Sequence, residues 1–240
     1  MSKTYTKKEI IDMCEKASKD MKSFYNAPFV NYKGKSKEKE LYTEIVAEWL
    51  LDNIDRFESI ARIEREQGYD VNHTGEIGDK TNRIEEYLAK QLYNSSNPKN
   101  PHIEYPGIGY FIDYQTPLKS KRDETNKGLG KIDLLSCNHK SKTVYILEFK
   151  RPDSSETMLR CVLEAYTYLK IISKSKLFED FKRYKIDNTY ELKSSPFVFV
   201  NGRQYDEYSD QSRKFLHALM KKLDSQPFFI NPTDFQIIQM

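Results

Sequence analysis

The chain has 240 residues and a net charge of +3, with 31% charged and 38% hydrophobic residues, including 17 Tyr and 13 Phe. That length fits one large domain, or a domain with an appendage. The aromatic content excludes a disordered chain, and the small net charge confines any affinity for nucleic acid to local patches. Cys14, Cys137 and Cys161 form no Cys-x-x-Cys pair, which points to a reducing compartment without a zinc site. With no signal peptide and no apolar run of about 18 residues, a cytoplasmic protein with no membrane partner is expected.

In chain order, Thr6-Lys-Lys-Glu9 fits a capping box, and Ile10, Met13, Cys14, Ala17, Met21 and Phe24 follow at helical spacing. A turn around Asn26, Pro28 and Gly34 comes next. Gly34-Lys35-Ser36 matches only the end of a P-loop: Phe29 stands where the first glycine is required, and no apolar strand leads in. Nucleotide binding there is excluded. A helix is predicted over residues 38–57, with Leu41, Ile45, Trp49, Leu50, Ile54 and Phe57 as its buried stripe and Trp49 as core. Helix can continue through 58–70, until Gly68, Asn72, Gly75 and Gly78 break the chain. Residues 1–78 thus read as a helical N-terminal extension packed on a core of residues 79–240.

Residues 79–94 form the next expected helix, with Ile84, Leu88 and Leu92 on one face. Glu85 lies about 60° from Leu88 on the helical wheel, whereas Glu86 lies about 160° from both Ile84 and Leu88. A first strand is expected over 102–114, opened by Pro101 and bent at Pro106, Gly107 and Gly109. Residues 117–130 make a polar loop whose Lys119, Lys121, Arg122 and Lys127, leading to Lys131, outnumber Asp123 and Glu124. Such a loop suits phosphate contact; ordinary solvated charge is the plain alternative.

Two apolar runs, 132–137 and 144–149, then flank Asn138, His139, Lys140, Ser141 and Lys142 and predict a β-hairpin. With a four-residue loop over 139–142, Cys137 faces Val144, Leu135 faces Ile146 and Asp133 faces Glu148. Period-two alternation then places Asp133, Glu148 and Lys150 at the end of an otherwise apolar face. Directly opposed carboxylates, with Cβ atoms about 5 Å apart, destabilise a strand pair, so folding does not ask for them. A hard divalent cation would reverse the sign.

After the hairpin, Arg151-Pro152-Asp153 ends the strand, and Ser154 or Ser155 is the expected cap of a helix reaching about residue 172. Met158, Val162, Tyr166 and Leu169 would be its core stripe, and Arg160, Glu164 and Tyr168 share another face. Residues 196–201 read as a buried strand that can lie parallel to the strand of Glu148. A helix over 211–223 and an edge strand over 235–238 complete the reading. His73, His102, His139 and His217 show no metal-ligand spacing.

Asp133 followed by Glu148-Phe149-Lys150 on a second hydrophobic strand resembles the PD-(D/E)XK nuclease superfamily. The proline of the motif is absent, with Ile132 in its place. A further Glu-x-Lys, Glu191-Leu192-Lys193, reads as a chance match in a polar turn. The element order over residues 79–201, helix, three strands, helix, strand, is that of the resembled fold. The resemblance implies an α/β protein with a restriction-endonuclease-like core (αβββαβ, mixed central sheet flanked by helices) and a helical N-terminal part.

It further implies a Mg²⁺-dependent nuclease, with Mn²⁺ able to substitute, acting on nucleic acid, DNA before RNA, and it allows a homodimer. Asp133 and Glu148 would bind metal, with the Phe149 carbonyl as a further ligand, and Lys150 would orient or help deprotonate a water. Members often add an acid from the preceding helix, for which Glu85 is the better match. Several place a Gln and a Tyr four residues apart on the following helix, where this chain has Glu164 and Tyr168. The rival expectations are a nucleic-acid-binding or partner-binding module without catalysis, and a protein in which Asp133 and Glu148 are surface charges.

Overall fold

The computed structural model describes residues 3–63, 65–73, 83–96, 103–119 and 129–238. The protein is α/β. One open sheet contains β1 (Tyr110–Pro117), β2 (Lys131–Asn138), β3 (Thr143–Lys150), β4 (Glu191–Phe199), β5 (Phe228–Ile230) and β6 (Ile237–Ile238), side by side in that order. The sheet is mixed: β1–β2, β2–β3 and β5–β6 are antiparallel, while β3–β4 and β4–β5 are parallel. Seven α-helices occur among the described residues: α1 (Lys7–Ala17), α2 (Tyr42–Asp52), α3 (Ile84–Ser95), α4 (Met158–Ile171), α5 (Lys174–Asp180), α6 (Arg203–Ser209) and α7 (Lys214–Lys222). None of the described helices is long and apolar enough to cross a membrane.

The β2–β3 hairpin has the register that alternation predicts, with Cys137 opposite Val144 and Leu135 opposite Ile146. Its turn is held by the Asn138 side-chain oxygen, which accepts from the N–H groups of Lys140 at 3.0 Å and Ser141 at 3.2 Å. Each face then packs a different layer. Leu135, Cys137, Val144 and Ile146 join the larger core with Cys161, Val162 and Leu163 of α4. Leu134, Leu147 and Phe149 join a second core with Ala89 and Leu92 of α3. The charged end of the hairpin therefore lies between two helical layers.

The N-terminal segment is part of the larger core: Ile10, Cys14, Ile45, Trp49 and Leu50 are buried in it with the residues of α4. The Thr6 capping box forms as predicted, but α1 gives way at Ser18 to short 3-10 turns. The helix expected over 38–57 is α2 followed by a 3-10 stretch, Ile54–Ser59. Glu44 of α2 accepts from the N–H groups of Phe215 at 2.9 Å and Leu216 at 3.0 Å, caring for the open donors at the start of α7.

Several expectations are corrected. The first strand begins at Tyr110, because Tyr105 and Gly109 exchange backbone hydrogen bonds across a tight turn. Gly109 has φ +76°, and a Cβ there would sit 2.1 Å from the Cys137 carbonyl oxygen, so only glycine fits. The α4 cap is Thr157, not Ser154 or Ser155, and its hydroxyl accepts from the Arg160 N–H at 3.2 Å. The same Thr157 is gripped by the N-terminal segment, donating from its N–H to Asn31 at 2.7 Å and from its hydroxyl to the Val30 carbonyl at 2.9 Å. Glu191-Leu192-Lys193 is not in a turn but opens β4, pairing with Thr143, Val144 and Tyr145. Of the helix expected over 79–94, residues 79–82 lie outside the described residues.

Candidate functional site

The described ladder between β2 and β3 runs from Asn138–Thr143 to Leu134–Leu147 and stops before Asp133 and Glu148. Beyond that point the Asp133 carboxylate replaces the backbone pairing. Its Oδ2 accepts from the Phe149 N–H at 3.0 Å, and its Oδ1 accepts from the Gln115 side-chain amide at 3.0 Å. Gln115 lies between two paired residues of β1, Tyr114 opposite Leu134 and Thr116 opposite Ile132, which sets it across from Asp133. Its φ of +51° is left-handed, a strained conformation for a side-chain-bearing residue. Nothing in the alternation of β1 marks this residue, and sequence reasoning missed it.

Glu148 and Lys150 share the α4 face of β3, as the period-two pattern requires, and both are buried. The Lys150 ammonium is 2.5 Å from Glu148 Oε1, 3.0 Å from Glu156 Oε2 and 3.6 Å from Glu164 Oε2. Arg160 supports the same acids at 2.8 Å from Glu156 and 3.9 Å from Glu164. Glu164 also accepts from the Tyr168 hydroxyl at 2.9 Å, and that hydroxyl lies 3.4 Å from the Tyr25 hydroxyl of the N-terminal segment. The Arg160–Glu164 contact is therefore the outer edge of a network around the buried Lys150.

The electrostatics follow from that crowding. Burial pushes the Asp133 carboxyl up to about 7, with Lys150 opposing the shift and Glu164 adding to it. Glu148 is raised well above the carboxylate range by burial, then by Asp133 and Glu164. Burial works to lower the Lys150 pKa, but Glu148, Glu164 and Asp133 outweigh it and hold the side chain as an ammonium. One lysine thus serves more acid than its single charge can neutralise.

Asp133 opens onto a cleft of about 530 Å³ lined by Glu85, Glu86, Gln115, Asp133, Arg151 and Glu156 among others. Glu85 reaches the strand end, where its Oε1 accepts from the Arg151 N–H at 3.2 Å. The face of α3 differs from the expected one: Ile84 is 40% exposed, while Ala89 and Leu92 are buried. Glu85 precedes Ala89 by four residues and Leu92 by seven, which aligns it with the buried stripe. Glu86 lines the cleft too and is not directed into bulk water; it pairs closely with Arg83.

No family model, curated protein or solved structure matches the chain.

The remaining candidates divide. The Phe149 side chain is fully buried and its N–H is given to Asp133, so only its carbonyl could serve a metal. Lys131 is exposed at the start of β2. Lys119 is half-buried, and its carbonyl accepts from the Arg65 guanidinium. Lys121, Arg122 and Lys127 lie outside the described residues. Among the described residues, no group of three or more His, Cys, Asp or Glu side chains is placed to hold a metal ion. The donor set itself is suited to one: Asp133 at the cleft wall and the buried Glu148, whose ionisation Asp133 opposes. Mg²⁺ commonly takes only one or two protein carboxylates, keeping waters and substrate oxygens for its other positions.

Proposed function

We propose that the protein is a Mg²⁺-dependent nuclease, a DNA endonuclease before an RNase, built on a restriction-endonuclease-like core of the PD-(D/E)XK type. The observation that carries this reading is the convergence of Asp133, Glu148 and Lys150 on one face at one end of the hairpin, beside an open cleft. Core packing gives no reason for two acids and a lysine there, since each charge costs free energy to bury.

Asp133 and Glu148 would hold the ion, which when bound supplies a water of lowered pKa and neutralises charge on the phosphate. The chain's own groups have separate tasks. Gln115 and the Phe149 N–H fix the Asp133 carboxylate, so it need not reorganise when a ligand arrives. Lys150, held as an ammonium, suits neutralising the phosphate better than removing a proton from water. Glu156 and Glu164 keep that ammonium in place when Glu148 turns to other work. Glu85, fixed on Arg151 at the cleft wall, stands where it can complete a ligand shell or orient a water.

A module of the same fold that binds nucleic acid without cutting it is the second reading, favoured by the contact that ties Glu148 to Lys150 at 2.5 Å. Incubation with plasmid, single-stranded DNA and RNA in Mg²⁺, Mn²⁺ or EDTA separates the two. Cleavage of DNA that requires metal is the expected result. Binding without cleavage under every condition would favour the module.

A further inference from the structure

The cleft at Asp133 carries a cation that the reading above leaves unused. Arg151 directly follows Lys150 and lines the cleft with Arg83, Glu85, Glu86, Asp133 and Glu156. The carboxylates there repel a polyanion, and the guanidinium groups attract it. Arg83 is taken up by Glu86, and the Lys150 ammonium is buried against Glu148 and Glu156. Arg151 is placed differently, at the cleft wall with its side chain 35% exposed.

Asp153 meets Arg151 at Nε alone, 3.0 Å away, and the Asp153 side chain is 73% exposed. An ion pair so open to water holds its partner weakly. Among the described residues, neither terminal nitrogen of the Arg151 guanidinium has a partner. The flat, two-pronged edge that matches a phosphate is therefore open. The backbone beneath it is fixed on both sides: the Arg151 N–H donates to Glu85 at 3.2 Å, and its carbonyl accepts from the Ser154 N–H at 3.0 Å. Part of the ordering that binding demands is thus already done. Ser155 lines the same cleft and is exposed, and among the described residues neither its N–H nor its hydroxyl is hydrogen-bonded.

A guanidinium edge and a serine, both with donors to spare on the wall of an acidic cleft, suit an oxyanion. Lys150 is buried behind Glu148 and serves the reacting phosphate, whereas Arg151, the next residue, opens to the cleft itself. We propose that Arg151, with Ser155 as a second donor, binds the phosphate next to the scissile one on the same nucleic-acid strand. This rests on the nuclease reading. The contact would offset the repulsion between the strand and the cleft acids that a metal ion leaves uncovered.

The test measures binding of a short fluorescent DNA duplex over a salt series in EDTA, and single-turnover cleavage of the same duplex in Mg²⁺. Arg151→Gln should bind about tenfold more weakly than wild type, as expected for a lost charged hydrogen-bonding pair. Its slope of log K against log salt should be shallower by about 0.9. Cleavage should then need a correspondingly higher protein concentration to reach half its maximal rate. Ser155→Ala, which removes no charge, should weaken binding less and keep the wild-type slope. Asp153→Asn, which frees Nε, should bind at least as tightly as wild type; a loss equal to that of Arg151→Gln would make the Arg151–Asp153 pair a brace for the turn and overturn the proposal. Thermal melts verify folding, and Arg151→Lys carries the test if Arg151→Gln does not fold: it keeps the charge but loses the fork, so full wild-type affinity there overturns the two-pronged contact. A folded Arg151→Gln that matches wild type in affinity, slope and cleavage overturns the contact and leaves the nuclease reading standing. A wild-type protein that neither binds nor cleaves nucleic acid overturns both.

Discussion

Replacing Asp133 by Asn should make the metal-free protein more stable at pH 8 and no more stable at pH 4. The Asp133 carboxyl is pushed up to about 7 from an ordinary 3.8, so between those values the native protein keeps a proton that the unfolded chain has released. Stability then falls as pH rises through this window, and the loss is complete above it. The two values differ by an amount worth about 4 kcal/mol at 1.36 kcal/mol per pH unit. Asn removes that penalty, but its single acceptor oxygen cannot serve both the Phe149 N–H and the Gln115 amide. One lost hydrogen bond costs about 1 to 3 kcal/mol where the donor is left unsatisfied.

The net gain at pH 8 is then about 1 to 3 kcal/mol, or a rise in Tm of roughly 2 to 10 °C for a chain of this size. Glu148 is raised in the same sense, so the wild type alone should also lose stability from pH 5 to pH 8. Thermal unfolding followed by circular dichroism in EDTA from pH 4 to pH 8.5 measures both. Parallel profiles for wild type and Asp133→Asn, or a variant less stable than wild type at pH 8, would refute the reasoning.

Lys150→Met should cost about 3 to 5 kcal/mol, because it leaves Glu148, Glu156 and Glu164 without their shared cation; a urea midpoint unchanged from wild type would contradict this. Thr157→Ala should lose about 1 to 2 kcal/mol as a cap is removed. Its grip on Val30 goes as well, so limited proteolysis should cut the N-terminal segment sooner. Glu85→Gln should depress metal-dependent cleavage more than Glu86→Gln, since Glu85 is fixed at the strand end and Glu86 is spent on Arg83; the reverse ranking in single-turnover assays would reject that assignment.

The hairpin was legible because its signal is period two, and a slip of one residue would have moved Leu135, Cys137, Val144 and Ile146 off the core. That register also put Asp133, Glu148 and Lys150 on one face. The Glu85 assignment rested on the wrong stripe: Ile84 marks an exposed position, and Ala89 takes the buried one. An alanine carries too little apolar signal to be weighed against isoleucine in a sequence, although its small volume suits a helix lying close on a sheet.

Gln115 was not legible, because its role depends on a left-handed backbone and on a partner in another strand. Nor was Glu156, which precedes α4 and meets Lys150 only through the turn between them. The seven-residue helices α5 and α6 and the three-residue β5 are too short for periodicity to show. Glu191-Leu192-Lys193 looked like a turn because polar residues surround it, yet strand pairing with β3 overrides that local preference.

The claim that the Asp133–Glu148–Lys150 cluster is a nuclease site is tested most directly by cleavage of plasmid DNA with wild type and Glu148→Gln side by side, each in Mg²⁺ and in EDTA. The account predicts cleavage by wild type in Mg²⁺ alone, and a loss of about 100-fold or more in a folded Glu148→Gln. Undiminished Mg²⁺-dependent cleavage by the variant, or no cleavage of any nucleic acid by wild type, would contradict it.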